Sequence, residues 1–155
     1  MKTILGIDPG MSGALAFYDG KELIIYDMPV HELKVNGKNR KRIDSIKLIS
    51  ILKDNKADLA FLEKVWAMPT NGVSAAFTYG WGCGALEASV ASQMIPFTYV
   101  TPPKWKKVMD CPKDKNGARM RASQLLPNFA HNWDLKKHDG RAEAALIALY
   151  GMDYA

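Results

Sequence analysis

Thr3-Ile-Leu-Gly-Ile-Asp8-Pro-Gly10, followed by Gly13-Ala-Leu-Ala-Phe-Tyr18 and Asp19-Gly20, is the stretch that decides the fold. Thr3 to Ile7 is apolar and rich in β-branched residues, the composition of a buried strand. Asp8-Pro9-Gly10 turns the chain, and Gly13 to Tyr18 supplies a second apolar run. An Asp-Gly pair between apolar runs is a hairpin signal, so Leu23 to Tyr26 is expected to return as a third strand. Three antiparallel strands then open the domain.

Working outward, Pro29 to Arg42 is polar and basic and contains Gly37, which predicts a mobile loop. From Asp44 the period changes: Ile46, Ile49 and Leu52 recur at helical spacing behind an Asp44 N-cap, and the helix should end near Asn55. Asp58 to Val65 is densely apolar, as suits a strand buried on both faces, and a helix crossing to a parallel strand is the economical connection. Gly72 to Gln93 reads as a helix through Val73, Phe77 and Leu86, with close packing along Gly80, Gly82 and Gly84. Pro96 to Val100 is a short strand, and Pro102-Pro103 preset a helix start at Lys104. Ala118 to Leu126 is a further helix stopped by Pro127. Gly140 to Tyr150 is an alanine-rich helix that Gly151 should end. The order βββ, α, β, α, β, α is mixed α/β: three antiparallel strands joined to two parallel ones, flanked by helices, in one domain across residues 1–155.

A chain of 155 residues, 48% apolar and 24% charged, can bury a core of its own and lacks the composition of a disordered segment. It contains no apolar run of the roughly 20 residues that a membrane span needs. MKTILGIDPG reaches an acid too soon for a signal peptide, so a soluble cytoplasmic protein is expected. Cys83 and Cys111 have no partner at zinc-ligand spacing and read as free thiols. The net charge of +5 is clustered. Lys34, Lys38, Arg40, Lys41, Arg42, Lys47 and Lys53 face one acid, Asp44, within one block. Lys104, Lys106, Lys107, Lys113, Lys115, Arg119 and Arg121 dominate a second. Two basic blocks on a small domain point to a polyanionic partner, nucleic acid being the commonest.

Against that basic background, a few acids stand out. Asp8 closes the first strand, where a carboxylate serves either the turn or a metal ion at the sheet edge. Glu63 sits inside Leu59-Ala-Phe-Leu62-Glu-Lys-Val65, where an unpaired carboxylate is expensive to bury. A cation, a salt bridge or a solvent-facing orientation would each relieve it. Asp139 and Glu143, four apart at the start of the last helix, can share a face. Each also suits the helix N-terminus on its own. The run Ala144-Ala-Leu-Ile-Ala-Leu-Tyr150 implies a buried helix, which puts Glu143 at the rim of the core.

In order and spacing, Ile4-Leu-Gly-Ile-Asp8-Pro-Gly10 with Ser12-Gly-Ala14, Leu62-Glu63-Lys-Val-Trp66, Gly72-Val-Ser-Ala-Ala-Phe77 with Gly80 and Gly84, and His138-Asp-Gly-Arg-Ala-Glu143-Ala resemble the RuvC family of Holliday-junction resolvases. The likeness covers nearly the whole chain and is nearest in feel to the short members carried by bacteriophages, whose setting would be the host cytoplasm. The resemblance implies an RNase H-like fold, a homodimer, and an endonuclease of DNA recombination and repair that hydrolyses paired phosphodiesters at a four-way junction. It also implies two Mg²⁺ ions per site, with Mn²⁺ able to substitute. Two such ions activate the attacking water and stabilise the leaving 3′ oxygen. Carried over by motif, Asp8, Glu63 and Glu143 are metal ligands. The family usually spaces its last two ligands three apart, and that position here is Gly140, so Asp139 or His138 must substitute; a hard ion favours Asp139.

The resemblance further makes Trp66 a residue that stacks on bases at the junction, the alternative being a core tryptophan. It makes Lys107 and Lys115 the candidates for the scissile phosphate, with Lys106 interchangeable. Arg40, Lys41 and Arg42 are the further DNA-binding candidates. Two other functions compete: a nuclease that prefers flaps or forks, and a non-catalytic junction-binding protein, which would not need its acids. Actin-like kinases share the opening motif, but they need two such halves and a second glycine-rich phosphate loop, and this chain has neither.

Overall fold

A computed structural model of the chain describes residues 1–154. Strand alternation in its first element assigns the faces of the whole molecule. In β1 (Ile4–Asp8), Leu5 and Ile7 point to one core cluster and Ile4 to the other. The strand is buried on both sides, as its unbroken apolar run requires. β1 pairs antiparallel with β2 (Ala14–Tyr18), and β2 pairs antiparallel with β3 (Leu23–Asp27). On its other edge β1 pairs in parallel with a later strand spanning Leu59–Glu63, which in turn pairs in parallel with Phe97–Val100. The expected mixed sheet of three antiparallel and two parallel strands is therefore present, with β1 at its centre.

Between β3 and the next helix lies the main departure from expectation. Residues 29–42 are not a loop. They form a two-stranded hairpin of β4 (Val30–Val35) and β5 (Lys38–Ile43), separate from the main sheet. Its turn is Asn36-Gly37, both at positive φ, with Val35 opposite Lys38. That is the two-residue hairpin turn that Asn-Gly favours. The numbering continues with β6 (Leu59–Glu63) and β7 (Phe97–Val100).

Helix α1 (Ser45–Asn55) starts at Asp44 as expected, the carboxylate accepting a hydrogen bond from the Lys47 amide at 3.0 Å. α2 (Val73–Ser92) follows β6. Together α1 and α2 cover the face that holds Leu5, Ile7, Leu15 and Leu62. The opposite face carries α5 (Asp139–Tyr154), packed along β1 and β2, with α3 (Pro102–Val108) and α4 (Gly117–Leu125) beside it. Two 3₁₀ segments, Pro127–Trp133 and Lys136–His138, lead into α5.

Two helix boundaries differ from expectation. α3 begins at Pro102 rather than Lys104. α5 runs through Gly151, which serves there as a place where the Phe61 ring crosses the helix rather than as a stop. No helix among the described residues is long and apolar enough to cross a membrane, and Cys83 and Cys111 are free thiols.

Candidate metal centre and nucleic-acid face

Strand parity brings the first two acids together. Ile4, Gly6 and Asp8 share one face of β1, and Leu59, Phe61 and Glu63 share the same face of β6. The parallel register pairs Gly6 with Phe61 and Ile7 with Leu62, so Asp8 and Glu63 end neighbouring strands side by side. Both lie at the carboxyl ends of parallel strands, the edge where open α/β sheets place their ligands. α5 crosses this face and contributes Glu143 from its second turn. Ligand atoms of Asp8, Glu63 and Glu143 all lie within 4.8 Å of one another.

Three carboxylates this close, one buried and two half-buried, resist ionising together. Burial lifts Asp8 well above the usual carboxylate range, and Glu143 and Glu63 push it further; Lys106 opposes them. Burial also raises Glu143, to about 7, with Glu63 and Asp139 adding and Lys106 again opposing. Glu63 is raised by burial but held back by a hydrogen bond from Trp105 and by Lys106. That bond, from the indole Nε1 to Glu63 Oε2 at 2.7 Å, orients the least exposed acid of the three. A donor set made wholly of carboxylate oxygen, electrostatically short of positive charge, fits a hard divalent cation such as Mg²⁺.

The sign of the pH dependence follows from these shifts. Without metal, Glu143 keeps its proton to about pH 7 when folded, against an ordinary value of 4.5. The native state therefore binds more protons than the unfolded state across that interval, and stability falls as pH rises through it. Glu143 alone accounts for on the order of 3 kcal/mol. The melting temperature in chelator is expected to drop by roughly 5–10 °C between pH 5 and pH 8, with Mg²⁺ suppressing the drop. A flat profile in chelator would mean that these acids are better solvated than the structure shows.

Asp139 does not join the cluster. Its carboxylate accepts from Arg119 Nε at 2.7 Å, and Arg119 is also held by Asn116 and by the Asp134 carbonyl. His138 also lies apart, its Nδ1 accepting from the Leu135 amide at 3.4 Å. The α5 residue that does face Asp8 is Gly140. A Cβ there would stand 3.1 Å from Asp8 Oδ2 but only 2.5 Å from the Ser12 carbonyl oxygen. The first turn of α5 rests on the Ser12-Gly13 backbone, which leaves no space for a side chain at that position.

Among the lysines, Lys106 is the one whose charge acts on Asp8, Glu63 and Glu143 alike. It lines a cleft of about 660 Å³ with Lys107 and Lys113, while Lys115 is exposed in the turn before α4. Trp66 is not a core residue. It is 59% exposed after β6, with Lys64 Nζ 5.9 Å from its ring centroid. Arg40, Lys41 and Arg42 lie on β5, lining a groove against α2. Sequence reasoning missed Trp105, which is fully buried and holds Glu63. Its position among lysines masked it, and only its proximity to Pro102-Pro103 hinted at an ordered helix.

No protein-family model matches the sequence, and no curated protein does. Solved structures do. RuvC of Thermus thermophilus in complex with Holliday junction substrate superimposes with a TM-score of 0.66 at 14% identity, over 99% of this chain and 96% of that one. A second structure of Thermus thermophilus RuvC gives 0.58 at 15% identity, over 98% and 96%. The yeast mitochondrial Holliday junction resolvase Ydc2 gives 0.57 at 18% identity, over 95% of this chain and 76% of that one. What the chain shares with them at these identities is its architecture, an RNase H-like fold of the RuvC type.

Proposed function

We propose that the protein is a divalent-metal-dependent endonuclease that resolves four-way DNA junctions, acting as a homodimer in DNA recombination and repair. The observation that carries this reading is the convergence of Asp8, Glu63 and Glu143 at one sheet edge, beside Lys106 and between two basic surfaces. The three acids would hold Mg²⁺ ions, which when bound supply Lewis-acid activation of water and stabilisation of the leaving oxygen. Water adds to the phosphorus and the bond to the 3′ oxygen breaks, leaving a 5′ phosphate and a 3′ hydroxyl. Trp105 keeps Glu63 aimed at the centre, and Lys106, whose charge acts on all three acids, would meet a non-bridging phosphate oxygen. Trp66, exposed beside the site, would stack on an unpaired base, worth roughly 1–3 kcal/mol.

The homodimer has its own support in α2. Ala76, Gly80, Gly84 and Ala88 recur every four residues, and nothing lies near Gly80 or Gly84. Phe77 and Trp81 flank this line, 72% and 45% exposed. A face of small residues edged by aromatics lets a second copy of the helix approach closely and bury the rings.

Cleavage of synthetic substrates tests the reading: a four-way junction, a fork and a linear duplex, each with Mg²⁺ or with chelator. Paired symmetric nicks confined to the junction, and lost in chelator, are expected. Preferred cutting of the fork would move the protein to the flap and fork nucleases. Junction binding without cutting in Mg²⁺ or Mn²⁺ would leave a non-catalytic binding protein.

A further inference from the structure

Between the β4–β5 hairpin and α2 runs a groove of about 600 Å³, distinct from the cleft beside α3. Arg40, Lys41 and Arg42 form one wall. Ser74, Ala75 and Thr78, from the first half of α2, form the floor. Tyr79 closes the inner end. Its ring comes within 3.6 Å of the Cβ position of Gly10, two residues past Asp8, so the groove opens beside the acid cluster.

The wall is built to stay in place. Ile43 at the end of β5 is buried and stands 3.4 Å from the Cβ position of Gly82 on α2. Arg42 lies 5.6 Å over the centroid of the Trp81 ring, a cation–π contact that ties the hairpin to α2. The cations have no acidic partners. Both ion pairs among the described residues, Arg119 with Asp139 and Arg141 with Asp27, lie elsewhere. The hairpin's one acid, Glu32, sits opposite Lys41 without pairing to it. A strand that carries three cations without acidic partners, beside a floor of small and hydroxyl side chains, suits a narrow, repeating polyanion. The small floor allows close approach, and the hydroxyls donate to phosphate oxygens.

We infer that this groove is a track for the sugar–phosphate backbone of one DNA strand, running from the hairpin past Ser74 and Thr78 to the acid cluster. The track rests on the nuclease reading above and adds to it a path for the strand beyond the cleaved phosphate. Contacts of this kind hold any sequence, so they set the register of the strand and not the choice of cut site.

Fluorescence anisotropy with a labelled four-way junction over a salt series tests the track, using Asp8→Asn as a non-cleaving parent. Each lost phosphate contact lowers the slope of log affinity on log salt by about 0.9. Combined Arg40→Ala, Lys41→Ala and Arg42→Ala is expected to flatten the slope by roughly 2–3 and weaken binding on the order of 10–100-fold. Ser74→Glu removes no cation but puts a carboxylate on the floor. An acid in the first turn of a helix favours the fold. It should weaken binding by about tenfold or more. Lys2→Ala, Lys21→Ala and Lys56→Asn together remove three exposed cations outside the groove and should leave the slope nearly unchanged. If the parent binds and both groove variants bind with its affinity and slope, the track is overturned and the nuclease reading stands. If the parent does not bind the junction at all, both fall.

Discussion

Asp8→Asn is expected to lower junction cleavage at least a thousandfold and, in the same molecule, to raise the melting temperature of the metal-free protein. The two effects have one cause. Asp8 is half-buried at the end of β1, and the charges of Glu143 and Glu63 raise its pKa beyond what desolvation alone does. At pH 8 without metal the fold must hold these acids against their electrostatic preference. Asparagine keeps the shape and removes one charge, ending its repulsion with Glu143 and Glu63. The gain should appear as a melting temperature several degrees higher in chelator at pH 8, since each kcal/mol moves the midpoint of a chain of this length by about 2–4 °C. A thousandfold loss in rate is about 4 kcal/mol of transition-state stabilisation, in the range that a displaced catalytic ion would remove. Mg²⁺ should then stabilise the parent protein more than the variant, because the ion binds the folded parent more tightly. Calorimetry in chelator and in Mg²⁺, beside single-turnover cleavage, reads all three quantities. Retained cleavage would take Asp8 out of the metal centre. A lowered melting temperature would make it a structural turn residue.

The elements that position this site were legible where the signal was local. The Asp19-Gly20 turn, the Asp44 cap and the apolar runs of β1, β6 and α5 each follow from a few neighbouring residues, and each is present. The Asn36-Gly37 turn was equally local, but the basic composition around it outweighed a hairpin signal that both positive φ values confirm. Where the reading needed helical phase, it stopped short. One residue along a helix is a turn of about 100°. That is the difference between Asp139, drawn to Arg119, and Gly140, which faces Asp8. It also separates Lys106, which the acids feel, from Lys107. Trp105 depends on still longer range. Its burial and its bond to Glu63 arise only when α3 folds back against β6, across 42 residues of sequence.

Gly6→Ala is expected to be among the most damaging single methyls that can be added to this chain, costing about 3 kcal/mol or more. Gly6 sits mid-strand on the face of β1 that meets α5, between Ile4 and Asp8. A Cβ there would fall inside contact distance of the Ala144 carbonyl oxygen and the Ala148 amide nitrogen, both of them helix backbone. A close-packed interior cannot absorb such an overlap by rotating a side chain. α5 must instead move off β1, and its alanine face and the packing of Phe61 against Gly151 hold it along its length. Glu143 rides on the same helix, so the shift separates it from Asp8 and Glu63 although residue 6 touches none of them. Midpoint denaturant concentration should fall, and Mg²⁺-dependent stabilisation should shrink with it. The backbone nature of the clash gives a sharper check: adding Ala148→Gly should not rescue Gly6→Ala, because the atoms in the way remain. Rescue by that second change would show that side chains, rather than the backbone of α5, set the distance between helix and sheet.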